Sequence, residues 1–286
     1  MHGQGLKKES PSPPQFKPSS ESLHQPNDTI QFRLRDDNPP VLQYPLLSNY
    51  SDLFHGVFTR KGGVSTPPYD QLNTSYSVGD LPRAVTTNLC TLQRAVGARY
   101  LVYMNQCHGN AAFLLDEQHL QEDWNPPAVD AMITHLTHVA VLVKQADCQA
   151  VILFDPEKRV VANVHCGWRG NVKNILGRVV HTMRRAYGTS PDRLIAAIGP
   201  SLGPCCAEFV DHQELFPEKF KKFKVKENHF DLWALSCSQL VGAGLLKEHI
   251  TCARICTRCR TDLFYSYRGE GTTGRFGTIV MLTATA

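Results

Sequence analysis

A mixed α+β (α/β) fold, with helices packed outside sheet, is predicted by three features of this 286-residue chain. Short apolar runs rich in β-branched residues, VAVLVKQADC, AVILFD, VVANVHC and LIAAIGP, have the composition of strands buried on both faces. Between and around them lie segments whose apolar residues recur at helical spacing. The two patterns alternate, and no internal repeat is visible.

The opening 40 residues, MHGQGLKKESPSPPQFKPSSESLHQPNDTIQFRLRDDNPP, are rich in Pro, Ser and charge and poor in aliphatics. Such a segment cannot bury enough apolar surface to offset its ordering entropy, so residues 1–40 are expected to be a flexible tail. A single catalytic domain is expected over 41–286. TTNLCTLQRAVG reads as a helix ending at a glycine. NVKNILGRVVHTMRRAYG places Val172, Ile175, Leu176, Val179, Val180 and Met183 on one face, with Arg178, Arg184 and Arg185 largely on the other, and Gly188 closes it. Asp231 is placed to cap a third helix through DLWALSCSQLVGAG. His135 and His138 in ITHLTH read as surface residues.

Composition excludes several function classes. The 30 basic and 26 acidic residues leave a net charge of only +4 and form no basic block, which argues against a nucleic-acid binder but leaves room for a small anion. No apolar run approaches the roughly 18–20 residues of a membrane span, and the first residues lack the apolar core of a secretory signal, so a soluble, cytoplasmic protein is expected. Ten cysteines scattered through strands and polar corners then suggest reduced thiols and metal ligands rather than a disulfide framework.

Three donors stand where strands should leave the core. His108 lies in NQCHGN, Cys148 ends an apolar strand in QADCQA, and His165 ends another in VHCGWRG. Two imidazoles and a thiolate suit zinc, and three protein ligands leave its fourth position open, as in a catalytic site. The residues alone favour a surface histidine, a small buried thiol and a satisfied strand-end histidine, since no local zinc motif links positions so far apart. RKGG, GWRG and YRGEGTTGR each set an arginine among glycines, a combination in which a guanidinium and backbone amides reach one oxyanion together. Arg60 and Arg169 are the stronger candidates for contact with substrate, Arg268 and Arg275 the weaker. The corner after Trp168 adds a helix N-terminus that favours negative charge. Trp168 itself is expected to be the packing anchor of that turn. Cys252, Cys256 and Cys259 in TCARICTRCR match an iron–sulfur or zinc-knuckle spacing, but no barrel precedes them and the iron–sulfur reading is rejected.

Seven segments carry a resemblance. HGVFTRKGGVSTPPYDQLN, NQCHG, ADC before an apolar strand, VHCGWRG, IGPSLGPCCAEF, CTRC and SYRGEGTTGR fall in the order and approximate spacing of the YfiH-type laccase-domain (polyphenol-oxidase-like) family, which the chain resembles from residue 53 to 283. The resemblance implies a layered α/β/β/α sandwich of mixed sheets, zinc held by His108, Cys148 and His165 at the catalytic centre, and CTRC as a packing element. It also implies a purine nucleoside enzyme. Its reactions would be phosphorolysis of adenosine, inosine and S-methyl-5'-thioadenosine to base and sugar 1-phosphate, and deamination of adenosine to inosine. Cys107, Cys166, Ser77 and Gly269 depart from the family's usual residues, and the sequence leaves open whether the two extra thiols beside the site are sensitive to oxidation.

Two other readings compete. A laccase-like copper polyphenol oxidase needs about ten imidazoles, many in His-x-His pairs. The twelve histidines here include no two that are two residues apart, so the copper reading fails on chemistry. A non-enzymatic immune or metabolic scaffold that uses zinc only to fold is separated from the enzyme by turnover of inosine with phosphate.

Overall fold

The computed structural model describes residues 31–33, 39–121 and 125–284. Its strands are β1 (Gln31–Arg33), β2 (Val41–Gln43), β3 (Leu53–Phe58), β4 (Tyr100–Tyr103), β5 (Ala112–Leu115), β6 (Ala131–Thr134) and β7 (Val139–Gln145). There follow β8 (Gln149–Asp155), β9 (Val160–Cys166), β10 (Ile195–Ile198), β11 (Lys224–Lys226), β12 (His229–Phe230), β13 (Ile250–Cys252) and β14 (Phe276–Leu282). They assemble into two six-stranded mixed sheets, ordered β1-β2-β3-β14-β7-β4 and β13-β10-β8-β9-β6-β5, with β11 and β12 as a small separate ribbon.

Alternation along each strand explains why the runs are apolar throughout. Val139, Val141 and Val143 of β7 face Ile152 and Phe154 of β8 and Val161 of β9 in a core between the sheets. Ala140 and Leu142 of β7 point the other way, against Val85, Leu89 and Leu92 of the helix Pro82–Val96. Val151 and Leu153 of β8 meet Ile175, Leu176, Val179 and Met183 of the helix Ile175–Tyr187. The expected layered α/β/β/α sandwich is therefore what the chain forms. Each fully buried aliphatic side chain on these helices is worth about 1.5–3 kcal/mol relative to exposure. The sheets are also pinned by a polar group: buried Asn163 on β9 donates to the carbonyls of Val141 and Thr278, at 2.9 and 2.8 Å.

Helix ends follow the expected chemistry with one difference. Gly97 and Gly188 close their helices with left-handed backbone, and Asp231 accepts from the N–H of Ala234 to cap Leu232–Gly242. The amphipathic run after Trp168, however, is two helices, Trp168–Val172 and Ile175–Tyr187. Asn174 separates them: it adopts left-handed backbone at φ 53°, and its side chain accepts from the N–H of Gly177, a conformation asparagine tolerates better than most residues. Val172 consequently leaves the expected stripe and packs beside Trp168 on a different cluster.

Most of the expected tail, residues 1–30 and 34–38, lies outside the described residues. Gln31–Arg33 within it pairs antiparallel with β2, Phe32 opposite Leu42. No helix among the described residues is long and apolar enough to cross a membrane. His135 and His138 are exposed, as expected.

Candidate functional site

The β8–β9 hairpin sets Ala150 opposite His165 and Gln149 opposite Cys166, so Cys148, one residue before β8, arrives beside Gly167, one residue after β9. The loop following β4 brings His108 to the same place. The three donors converge: their ligand atoms all lie within 4.8 Å of one another, with Cys148 Sγ 3.9 Å from His108 Nε2. The two imidazoles meet edge to face, ring centres 4.9 Å apart. Gly167 is required for this approach, because a Cβ there would stand 2.9 Å from Cys148 Sγ and 3.3 Å from His108 Cδ2.

A carboxylate that the sequence did not single out organises the donors. Asp130, fully buried just before β6, receives His165 Nδ1 at 2.8 Å on Oδ1 and the backbone N–H groups of His108 and Gly109 at 3.0 and 2.6 Å. Burial alone would raise its pKa, but donation from His165, Cys107 and Gly109 holds it well below the usual carboxylate range. With Nδ1–H given to a carboxylate, His165 presents Nε2 to the site in the manner of a metal ligand. Burial opposes charge on both Cys148 and His165, yet their attraction prevails: the thiol falls to about 6 and the imidazole rises to about 9. A metal ion held by these donors would take the place of the proton this pair shares.

Both loops carry unusual backbone. His108 has φ 57° and Asp147 φ 82°, the left-handed region in which non-glycine residues are uncommon. Asp147 is held there by its side chain, which accepts from Thr257 Oγ1 and Ser266 Oγ at 2.7 Å each and from the N–H of Arg268 at 2.6 Å. The adjacent Cys148 is fixed in turn.

The donors open onto a cavity of about 960 Å³, lined also by Ser77, Tyr103, Lys144, Trp168, Arg169, Arg268 and Arg275. Arg169 is exposed, lies 4.7 Å over the Trp168 ring and makes no ion pair among the described residues. Arg268 spends one donor on the Glu208 carbonyl at 2.8 Å, and Arg275 spends one terminal nitrogen on the carbonyls of Thr273 and Gly274. Arg60, also expected to contact substrate, does not line this cavity. Its guanidinium is buried over Tyr265, bonded to Glu270 at 2.7 Å and to the carbonyls of Asp70 and Thr261 at 2.9 Å, so its donors are consumed in holding loops together. Lys144 takes a place on the wall that the sequence did not assign to it. It sits 4.2 Å over the Tyr103 ring, where burial pulls its ammonium down to about 8.

Other expectations change at this site. Helix Trp168–Val172 has only five residues, so its terminus offers a weaker dipole than the long helix expected there. Trp168 is the packing anchor it was expected to be, edge-on to Phe209 and Phe216, although one side of it still borders the cavity. Cys166 is buried in the apolar layer outside its sheet, and Cys107 Sγ donates to Asp130 at 3.1 Å. Burial of Cys166 and the Asp130 contact of Cys107 both raise the thiol pKa, which disfavours the thiolate form of each. Around CTRC, Cys252 packs into the outer core and Ala253 into the core between the sheets, whereas Cys256, also buried, and Cys259 meet Cys205 and Cys206.

Residues 54–283 match the family described as multi-copper polyphenol oxidoreductase laccase. The chain belongs to this family. Among curated relatives it is 30% identical over 249 residues to the purine nucleoside phosphorylase of Bacteroides thetaiotaomicron, covering 81% of this chain and 92% of that one. It is 34% identical over 232 residues to the purine nucleoside phosphorylase SCO2081 of Streptomyces coelicolor, covering 79% and 94%. The structure of Bacillus licheniformis YfiH superposes with a TM-score of 0.79 at 27% identity, over 88% of this chain and 99% of that one. YlmD of Geobacillus stearothermophilus gives 0.79 at 25% identity, over 90% and 100%. The YfiH-type resemblance and its layered fold thus hold over the span in which the seven segments were found.

Proposed function

We propose that this chain is a zinc-dependent purine nucleoside phosphorylase, acting on adenosine, inosine and S-methyl-5'-thioadenosine, that also deaminates adenosine. One observation carries the reading: two imidazoles and a thiolate, braced by a buried carboxylate, open onto a cavity of about 960 Å³ whose wall bears four cationic side chains, Lys144, Arg169, Arg268 and Arg275. The relatives named purine nucleoside phosphorylase support the substrate class.

His108, Cys148 and His165 would hold the zinc, which suits this donor set and supplies Lewis acidity at an open position. The chain's own residues account for the rest. In phosphorolysis a phosphate oxygen bonds to the ribose anomeric carbon while the carbon–nitrogen bond to the purine breaks and its electrons leave with the base. Arg169, whose planar fork carries no ion pair among the described residues, binds two phosphate oxygens. Lys144, poised near neutral pH at about 8, supplies charge to the phosphate or a proton to the departing base. The family's description names multi-copper chemistry, and the number of imidazoles at the site argues against a multicopper centre here. Among the described residues only His108 and His165 bring imidazoles to a metal-competent cluster, far from the number a multicopper centre needs.

Adenosine and inosine, each incubated with and without phosphate and resolved by chromatography, test the reading. The expected products are hypoxanthine and ribose 1-phosphate from inosine only with phosphate, and inosine from adenosine without it. Inert nucleosides in the presence of folded, zinc-loaded protein would exclude the reading and leave the scaffold alternative.

A further inference from the structure

We propose that Cys205, Cys206, Cys256 and Cys259 form a second metal centre, a four-thiolate zinc site separate from the cavity, that clamps the two loops supporting Cys148. All four sulfurs lie within 4.8 Å of one another, with Cys259 Sγ 3.7 Å from Cys205 Sγ and 3.6 Å from Cys206 Sγ. A tetrahedral zinc with bonds of about 2.3 Å has sulfur–sulfur edges of about 3.8 Å, whereas a disulfide needs about 2.05 Å. The spacing is that of ligands around an ion. All four are free thiols.

The surrounding backbone is arranged for the same purpose. Cys256 and Cys259 sit three residues apart in the knuckle CTRC, and the backbone N–H groups of Gly203 and Cys259 point at Cys256 Sγ. Gly203 lets the loop with Cys205 and Cys206 close onto this knuckle, since a Cβ there would lie 3.0 Å from Cys256 Cβ and 2.7 Å from the Trp233 ring. Ser201 and Cys256 form an isolated parallel bridge, with Thr257 N–H donating to the Ser201 carbonyl at 3.1 Å. Soft thiolates in a tetrahedral set select zinc over harder cations. Cys205 and Cys259 are exposed, so an ion has a path of entry.

The clamp reaches the first centre through Asp147. Thr257, inside the knuckle, donates to Asp147 Oδ1, and Leu202, on the other loop, donates its N–H to the Asp147 carbonyl at 2.9 Å. Asp147 in its left-handed conformation directly precedes Cys148. Metal at the four cysteines therefore fixes both hands that hold the Cys148 loop.

Elemental analysis of the purified wild type, of His165→Ala and of the double variant Cys256→Ser/Cys259→Ser tests the proposal. Two zinc ions per wild-type chain are expected, one of them lost in each variant. If the double variant does not fold, X-ray absorption on folded His165→Ala decides, and a shell of four sulfurs is expected around the remaining zinc. Zinc retained in His165→Ala but lost in the double variant upholds this site even where the nucleoside reading fails. A single zinc that disappears with His165→Ala overturns it, as does a denatured, unreduced protein that titrates two thiols short of the ten in the sequence.

Discussion

At the scale of single residues, the site depends on one missing side chain and one buried charge. Gly167→Ala places a methyl 2.9 Å from Cys148 Sγ and should lower zinc affinity at the three-donor site by at least about tenfold, roughly 1.4 kcal/mol, read by competition with a chelator. Asp130→Asn keeps the shape but removes the acceptor that orients His165, and a loss of about 10–100-fold in metal affinity or turnover is expected. Lys144 makes a prediction with opposite signs for stability and activity. Its pKa is lower in the folded chain, about 8 against 10.5, so the unfolded chain binds more protons between those values and stability rises with pH across that window. Lys144→Met should therefore melt higher than wild type at pH 7, the advantage shrinking above pH 8, while phosphorolysis falls. A variant that melts lower at pH 7 would show that burial of this ammonium is not a cost. Arg169→Lys keeps charge but loses the fork, and phosphorolysis should slow by about tenfold while deamination, which needs no phosphate, suffers less. Equal losses in both reactions would make Arg169 a turn residue.

At the scale of elements, what was legible in the sequence was whatever local pattern determines. The strand runs, the glycine-closed helices, the Asp231 cap and the three donors at strand ends were all visible because each is written in a few adjacent residues. The roles of Asp130 and Lys144 were hidden because a charged residue beside or within an apolar run has the same local signature whether it braces a histidine or faces solvent. Arg60 shows a related ambiguity: an arginine among glycines is the same string whether its fork meets phosphate or, as here, Glu270 and two carbonyls. Cys205 and Cys206 are about fifty residues from Cys256 and Cys259, and it is the folded chain, through the parallel bridge at Ser201 and the bonds to Asp147, that joins the two loops. Packing of the helix Ile175–Tyr187 supplies the element-scale test. Leu176→Ala, fully buried against β8 and β9, should cost about 2–5 kcal/mol in denaturant unfolding without changing the pH profile of activity. A cost below about 1 kcal/mol would mean that this helix contributes little to the outer layer.

At the scale of the molecule, the two sheets bring the site about by ending together. β4, β7 and β9 finish, and β8 and β14 begin, at the same end of the sandwich, so loops far apart in sequence surround one cavity. The core that holds them lies between the sheets and on their outer faces, away from the donors. Site substitutions should therefore separate function from folding. The most direct measurement of the central claim is phosphate-dependent turnover of inosine by wild type and by His165→Ala, with both proteins shown by their melting curves to be folded. The account predicts ribose 1-phosphate from the wild type only when phosphate is present, and its loss together with the three-donor zinc in His165→Ala. Undiminished phosphorolysis by a folded His165→Ala chain, or wild-type cleavage of inosine that ignores phosphate, would contradict it.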